Sequence, residues 1–265
     1  MIDFVGAGPG ATDLITVRGM RLLSQADIII YAGSLINPEL LSYAKEDARI
    51  YNSAEMTLEQ VLSVMREADR NGEHVVRLHT GDQSLYGAIR EQMDALKESG
   101  IAFRSCPGVS ACFGAAASLD LEFTLPGISQ TLIITRAEGK TGVPEREKIA
   151  DLASHHATMA IYLSAGHLEI LQEELLKGGY ESSTPAIIAY KAIWPEEASY
   201  PCTVGTLYET GKRNNITKTA LVLIGDVLLT NDYERSRLYD PSFSTGFREA
   251  ETPQDQPESK IRRGS

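Results

Sequence analysis

The stretch FVGAGPGATDLITVRG, residues 4–19, places three glycines, Gly6, Gly8 and Gly10, between an apolar run and a helical pattern. A glycine-rich turn that leads from a strand into a helix is typical of the nucleotide-binding loops of open α/β sheets. Gly6, Gly8 and Ala11 fit the relaxed Gly-x-Gly-x-x-Gly/Ala spacing of a dinucleotide site. The stretch therefore predicts an α/β fold and raises the question of whether this loop holds a phosphate.

A dinucleotide site also needs an acidic residue at the end of the second strand, where it binds the ribose hydroxyls. Here the second strand, DIIIY at residues 27–31, ends in Tyr31 and is followed by Ala32. The nearby acid, Asp27, stands at the start of this strand, on the opposite edge of the sheet. Pro9 also removes an N–H from the loop where a phosphate cradle would use one. These residues argue against a phosphate, and a tight turn without any ligand stays open as an alternative.

Composition limits the class of protein. A chain of 265 residues with 43% hydrophobic residues can fill one large or two modest cores. The net charge of -11 argues against nucleic acid or an acidic membrane as a partner, because both require a basic face. No apolar run approaches the roughly 20 residues of a membrane span, and Asp3 in the first segment argues against a signal peptide. We therefore expect a cytoplasmic protein that binds neither nucleic acid nor a membrane.

The three cysteines, Cys106, Cys112 and Cys202, form no Cys-x-x-Cys pair. Neither a disulfide framework nor a zinc site is therefore expected, and a reducing compartment is the simplest one for this chain. We expect no metal bound by the protein itself.

Short β-rich runs alternate with helical patterns along the chain, which predicts two α/β domains. The first series of strand-like runs lies at residues 2–5, 27–31, 49–51, 74–80 and 101–106. The second series lies at residues 130–136, 158–164, 185–192 and 219–229. The segments that we expect are an N-terminal domain at residues 1–119, a linker at 120–128, a C-terminal domain at 129–240 and a disordered tail at 241–265.

Two further glycine loops follow the fourth and fifth predicted strands, namely HTGDQSLYG at residues 79–87 and CPGVSA at residues 106–111. Since the carboxyl ends of parallel strands meet at one edge of an open sheet, all three loops should line one ligand crevice. CPGVSA alone is better explained as a turn before a helix capped by Ser110, but three loops on one edge favour a binding site. None carries the Gly-Lys-Ser/Thr of a P-loop, so we expect a ligand with an adenine-like surface rather than a triphosphate.

These loops, in this order, resemble the N-terminal motifs of the tetrapyrrole methylases, which use S-adenosylmethionine: VGAGPGATDLITVRG (5–19), LHTGDQSLYG (78–87) and CPGVSA (106–111). Three more stretches are similar to the branch that methylates carbon 11 of precorrin-4: LLSQADIIIYAGSLINPELL (22–41), YKAIWPEE (190–197) and ITKTALVLIG (216–225). The likeness extends from residue 1 to about residue 240. It implies two α/β domains with a ligand trough between them, a homodimer, and methyl transfer to carbon 11 of precorrin-4 or its cobalt complex.

The resemblance also implies which residues bind S-adenosylmethionine: Pro9, Thr80, Gly81, Asp82, Leu85, Ser110 and Ala111 from the first domain, and Leu163 and Ala192 from the second. Thr80 and Gln83 depart from the family pattern, which commonly has glycine and proline at these positions. The uroporphyrinogen branch resembles this chain but has an Asp, proposed as a base, where Ala32 stands. The resemblance therefore implies no catalytic base here.

Three other functions stay open: a uroporphyrinogen or precorrin-3 type methylase, a nicotinamide-dependent oxidoreductase, and a tetrapyrrole carrier without activity. Trp194 could form an apolar wall for the macrocycle or simply pack. We expect His79 at the edge of the core and Tyr86 in the core. Cations predicted near the crevice, which could pair with substrate carboxylates or simply be solvated, are Arg18, Arg77, Arg136 and Lys191.

Overall fold

The computed structural model describes residues 1–139, 141–230, 232–234 and 236–251, and these residues form two five-stranded sheets. The strands of the first sheet are β1 (Ile2–Gly6), β2 (Ile28–Tyr31), β3 (Arg49–Asn52), β4 (Val75–His79) and β5 (Phe103–Cys106). They are all parallel, in the order β3-β2-β4-β1-β5. The helices around this sheet are α1 (Val17–Gln25), α2 (Leu58–Arg70), α3 (Arg90–Glu98) and α4 (Ala111–Ser118).

Both faces of the first sheet are covered, which explains why its central strands β1, β2 and β4 are largely apolar; Asp3, Arg77 and His79 are the buried polar exceptions. Phe4 and Ile30 pack with Met65 of α2 on one face, whereas Val5 and Ile29 pack with the buried residues around α1 on the other. Helix α2 begins after a capping box, in which the Thr57 side chain accepts the Gln60 N–H and the Gln60 side chain accepts the Thr57 N–H. The first of the two α/β domains that the sequence predicts is therefore present.

The strands of the second sheet are β6 (Leu132–Arg136), β7 (Thr158–Tyr162), β8 (Pro185–Tyr190), β9 (Ala198–Thr203) and β10 (Ala220–Ile224). Their order is β6-β7-β10-β8-β9, and only β6 and β7 are paired in parallel. The helices are α5 (Ile149–Ala153), α6 (Leu168–Lys177) and α7 (Leu207–Arg213). Strand β9 is absent from the sequence prediction because Pro201 interrupts its pattern, and an edge strand tolerates such a proline.

Helix α4 joins the two sheets. Its buried residues Cys112, Ala115 and Ala116 pack with Ala160 and Leu223 of the second sheet. Strands β7 and β8 are both antiparallel to β10, so they run in the same direction and their carboxyl ends lie at one edge. The packing of α4 therefore brings the glycine loops of the first sheet close to the second domain.

The expected segment boundaries, including the linker at 120–128, stay predictions. Residues 252–265 of the expected disordered tail lie outside the described residues. In the described part, Arg248 donates hydrogen bonds to the backbone oxygens of Leu238, Asp240 and Phe243, so this segment folds on itself. Among the helices of the described ranges, none is long and apolar enough to cross a membrane.

Candidate functional site

The three glycine loops pack directly on one another. Gly8 and Gly81 exchange backbone hydrogen bonds, with N···O distances of 3.2 and 2.9 Å. A Cβ added to Gly108 would lie 2.2 Å from the Gly81 oxygen and 2.7 Å from the Gly6 Cα, closer than real contacts allow. The glycines are thus needed for loop-to-loop packing. Because the Gly8 N–H is already used within the protein, the first loop does not present it to a phosphate.

Asp82 ties the second loop to the third. One carboxylate oxygen accepts the Gly108 N–H at 2.9 Å, and the other accepts the N–H of Ser84 at 2.9 Å as well as the Ser84 hydroxyl. Burial acts to raise the pKa of Asp82, but the hydrogen bonds from Ser84 and Gly108 outweigh it, so the pKa lies below its ordinary value. The carboxylate therefore stays charged and holds the shape of both loops.

Tyr162, at the end of β7, completes the third loop from the second domain. Its hydroxyl oxygen lies 2.8 Å from the Ser110 hydroxyl and accepts the Cys112 N–H at 2.8 Å. Burial raises the pKa of this phenol above its ordinary range, so it stays protonated. Sequence analysis missed Tyr162. The available signal was a tyrosine at the crevice end of a buried strand, next to Leu163.

These loops wall a cavity of about 480 Å³, lined by Asp82, Ser84, Leu85, Gly108, Val109, Ser110 and Phe113. Such a size and such a mixture of apolar and hydrogen-bonding residues suit a small organic ligand. Asp82, Leu85 and Ser110 of the expected cofactor residues line this cavity. Gly81 adjoins it, since a Cβ on Gly81 would lie 3.5 Å from the Ala111 nitrogen. The structure thus brings most of the expected residues of the first domain together.

The other expected residues do not line this cavity. Thr80 is exposed, and Pro9 is buried against Gly114 of α4, where an added Cβ would lie 2.6 Å from the Pro9 Cβ. Leu163 follows β7 and is 67% exposed. Ala192 follows β8 and is partly buried. The roles of these four residues in binding a cofactor stay predictions.

The strand ends of the second domain have a strained backbone. Leu163, Lys191 and Ile193 have φ values of 54°, 44° and 66°. The left-handed region is unfavourable for such side chains, above all for a β-branched one, and strain of this kind is concentrated at functional sites. Glu197 stabilises this conformation by accepting the Ile193 N–H at 2.6 Å. The edge that carries Leu163 and Ala192 is therefore held in a specific conformation.

Trp194 packs between the domains. Its indole N–H donates to the Pro9 oxygen at 2.9 Å, and a Cβ added to Gly10 would lie 2.3 Å from its ring. Lys191 lies over the same ring at 5.6 Å from its centre and pairs with Glu196 at 3.4 Å. These contacts fit the packing interpretation of Trp194, and its role as a wall for the macrocycle stays a prediction.

Two expectations from the sequence are wrong. Tyr86 is 45% exposed rather than in the core, because its φ of 56° turns it out of the loop toward the Tyr162 ring, 5.6 Å away. Arg77 is 6% exposed, in the middle of a strand whose two faces are both covered, so it does not reach substrate carboxylates at the crevice.

The other three expected cations differ in their surroundings. Arg18 is exposed, and Lys191 has the contacts described above. Arg136 donates to the backbone oxygens of Ala137, Thr141 and Gly142 and thereby holds the loop after β6.

His79 is buried at 4% exposure. No group of three histidine, cysteine or acidic side chains in the described residues could hold a metal ion.

Comparison with known proteins identifies relatives over nearly the whole chain. The sequence profile of the tetrapyrrole (corrin/porphyrin) methylases matches residues 1–208. A cobalt-precorrin-4 C(11)-methyltransferase from Methanocaldococcus jannaschii is 49% identical over 94% of this chain and 96% of its own length. A precorrin-4 C(11)-methyltransferase from Pseudomonas aeruginosa is 44% identical over 90% of this chain and 94% of its own. The X-ray structure of a cobalt precorrin-4 methyltransferase, a cobalamin biosynthetic enzyme, matches with a TM-score of 0.84 and 43% identity, over 86% of this chain and 96% of that one.

Proposed function

This chain belongs to the tetrapyrrole (corrin/porphyrin) methylases, and we propose that it transfers a methyl group from S-adenosylmethionine to carbon 11 of precorrin-4 or of cobalt-precorrin-4. The named relatives support this reaction, since two that act on carbon 11 are 49% and 44% identical to the chain over at least nine tenths of its length. The cobalt form is favoured because the relative with 49% identity and the matched crystal structure both carry cobalt in their names. The cobalt belongs to the substrate.

The observation that carries the proposal is the cavity between the second and third glycine loops. Leu85, Val109 and Phe113 give it apolar walls, and Ser84 and Ser110 give it hydroxyl groups. This donor set fits an adenosine, which needs an apolar surface for its base and hydrogen-bonding partners for its ribose and amino groups. We propose that Asp82, Leu85, Ser110 and Ala111 hold S-adenosylmethionine from the first domain. Pro9, Thr80, Gly81, Leu163 and Ala192 complete this set.

The reaction makes modest demands on the side chains. The cofactor supplies an electrophilic methyl carbon on a sulfonium group. The protein must then hold the acceptor carbon in line and keep water away, and such positioning can lower a barrier by roughly 7 to 11 kcal/mol. Hydrogen bonds from Ser84 and Gly108 keep Asp82 fixed, and Tyr162 keeps Ser110 fixed, so the cavity walls are ordered before a ligand arrives. No acid–base pair is needed for this step.

The missing acid after β2 distinguishes this proposal from a nicotinamide-dependent oxidoreductase, because that strand ends in Tyr31 and is followed by Ala32. A carrier without activity would bind the tetrapyrrole but would not need the cavity beside Asp82. We further propose that the enzyme acts in the cytoplasm as a homodimer. Cys106 and Cys112 are buried free thiols, in keeping with a reducing compartment.

The cofactor site is tested by calorimetric titration with S-adenosylhomocysteine. The wild-type protein should bind it, and Ala111→Trp should abolish binding because a large ring at the start of α4 fills the space beside Gly81. NAD serves as the comparison ligand and should not bind. Unchanged affinity in Ala111→Trp would contradict this placement, and binding of NAD alone would contradict the proposed activity.

A further inference from the structure

A layer of buried polar side chains lies beneath the second glycine loop. Arg77 and His79 project from β4, Gln92 projects from α3, and Gln83 belongs to the loop itself; their exposed fractions are 6%, 4%, 5% and 4%. Burial of a guanidinium group is costly unless a carboxylate pairs with it. Among the residues that the structure describes, no carboxylate pairs with Arg77. Because burial of these polar side chains is unfavourable for folding, we infer that the layer has a function.

Hydrogen bonds connect this layer from the sheet to the loop. The Arg77 Nη1 donates to the Ile30 oxygen at 3.1 Å and to the Leu78 oxygen at 3.4 Å, and its Nε donates to the Gln92 Oε1 at 3.2 Å. The Gln92 Nε2 in turn donates to the Ala88 oxygen at 3.0 Å. Arg77 and Gln92 thus connect the end of β2 with Ala88, the residue directly after the second glycine loop. We call this pair the Arg77–Gln92 relay.

The loop that the relay holds is strained and needs an anchor. Tyr86 and Ala88 have φ values of 56° and 48°, which are unfavourable for residues with a side chain. At its other end, the same loop is fixed by the hydrogen bond between Asp82 and the Gly108 N–H. Between these two anchors lies Leu85, which lines the cavity.

We propose that Arg77 and Gln92 are positioning residues, which hold residues 82–88 in the conformation that walls the cofactor cavity and thereby set the affinity for the cofactor. This inference rests on the function proposed above. It gives Arg77 a role that does not require contact with the substrate. It also explains why Gln92 is a glutamine, because one amide group must accept from Arg77 and donate to Ala88.

The substitution Gln92→Glu separates positioning from simple stabilisation of the core. A carboxylate at this place still accepts from Arg77 and adds the missing counter-charge, but it cannot donate to the Ala88 oxygen. We expect a melting temperature at or above that of the wild type, together with about tenfold weaker binding of S-adenosylhomocysteine, the effect of one lost hydrogen bond. Hydrogen exchange of the amides in residues 82–88 should become faster without any ligand.

The matched control is Leu96→Ala on the same helix. Leu96 is fully buried in the core beneath α3, and its truncation should lower the melting temperature without touching Ala88. Its affinity for S-adenosylhomocysteine should equal that of the wild type. If Gln92→Glu binds as tightly as the wild type and its loop amides exchange at the same rate, or if Leu96→Ala loses as much affinity, the relay has no positioning role. If the wild type does not bind S-adenosylhomocysteine, the proposed function is contradicted instead. The hydrogen exchange of residues 82–88 in Gln92→Glu and in the wild type would then still show whether the Arg77–Gln92 relay holds the loop.

Discussion

At the scale of single residues, the candidate site depends on a few hydrogen bonds that cross between loops and domains. Asp82 joins two loops of the first domain, and Tyr162 joins the third loop to the second sheet. The motif of the second glycine loop identifies Asp82 as a candidate site residue. The sequence does not predict the bond from Tyr162, because the two partners lie some fifty positions away and meet only through the packing of α4 on the second sheet.

The phenol of Tyr162 provides the first prediction. Tyr162→Phe should lower the free energy of unfolding by about 1 to 3 kcal/mol and weaken binding of S-adenosylhomocysteine, because Ser110 and the Cys112 N–H lose a buried partner. Denaturant unfolding and calorimetry measure the two effects. Tyr51→Phe is the control, since the hydroxyl of Tyr51 has no hydrogen bond within the described residues. Equal affinity in Tyr162→Phe and the wild type would show that this bond does not support the site.

The buried side chain of His79 should make the free energy of unfolding depend on pH. Burial, and then the charge of Arg77, lower the pKa of His79 from 6.5 to about 3 in the folded protein. Between these values the unfolded chain binds a proton that the folded protein does not, so the free energy of unfolding falls as the pH drops below about 6.5. His79→Gln removes this group, and we expect the variant to lose about 2 kcal/mol less stability than the wild type between pH 7 and pH 5.

Denaturant unfolding at several pH values measures this difference. His155→Gln, at an exposed position, is the control for the exchange of a histidine for glutamine. If the curve for His79→Gln runs parallel to that of the wild type, His79 does not stay neutral in the folded state.

At the scale of elements, most of the structure follows from local patterns, and the exceptions have physical reasons. The apolar run at residues 27–31 predicts β2, because both faces of the sheet are buried there. Strand β9 escapes prediction because it is an edge strand that contains Pro201. The sequence prediction for Arg77 is wrong because a charged residue of a strand is expected at the end of that strand. Here Arg77 is buried in the middle of β4, where it donates hydrogen bonds to a backbone oxygen and to Gln92.

The packing of the glycine loops gives the element-scale prediction. In Gly108→Ala, the new methyl group would meet the backbone of Gly81 and Gly6, so the loops must separate. We expect a loss of about 1 to 3 kcal/mol in the free energy of unfolding and weaker binding of S-adenosylhomocysteine. Gly246→Ala is the control, because no atom lies within 4 Å of its added Cβ. Unchanged binding in Gly108→Ala would show that close contact of the loops is not needed for the site.

At the scale of the whole molecule, two sheets of different topology share one helix and place the ends of their strands around one site. The first sheet is wholly parallel and supplies the glycine loops, whereas the second is mixed and supplies Tyr162, which bonds to the third loop. The sequence predicts two domains from the alternation of strands and helices. It does not predict that α4 packs on the second sheet, because α4 is apolar on almost all sides and has no distinct polar face.

The segment from Pro241 onwards provides a prediction at this scale. Its hydrogen bonds between residues 241 and 251 are mainly local, such as that from the Glu251 N–H to the Pro241 oxygen. Truncation after Asp240 should therefore leave the melting temperature and the methyl transfer rate nearly unchanged. Calorimetry and a transfer assay measure both. A marked loss of either would show that this segment contacts the rest of the protein or a second copy of the chain.

The product of the reaction shows whether this chain methylates carbon 11 of a precorrin-4. The purified protein is incubated with S-adenosylmethionine labelled in its methyl carbon and, separately, with cobalt-precorrin-4, precorrin-4 and uroporphyrinogen III. The products are then examined by NMR. We predict one labelled methyl group on carbon 11, with the cobalt complex as the better acceptor, and release of one S-adenosylhomocysteine for each methyl group transferred. Label on uroporphyrinogen III, or on any carbon of precorrin-4 other than carbon 11, would contradict methylation at carbon 11 of precorrin-4 as the reaction of this chain.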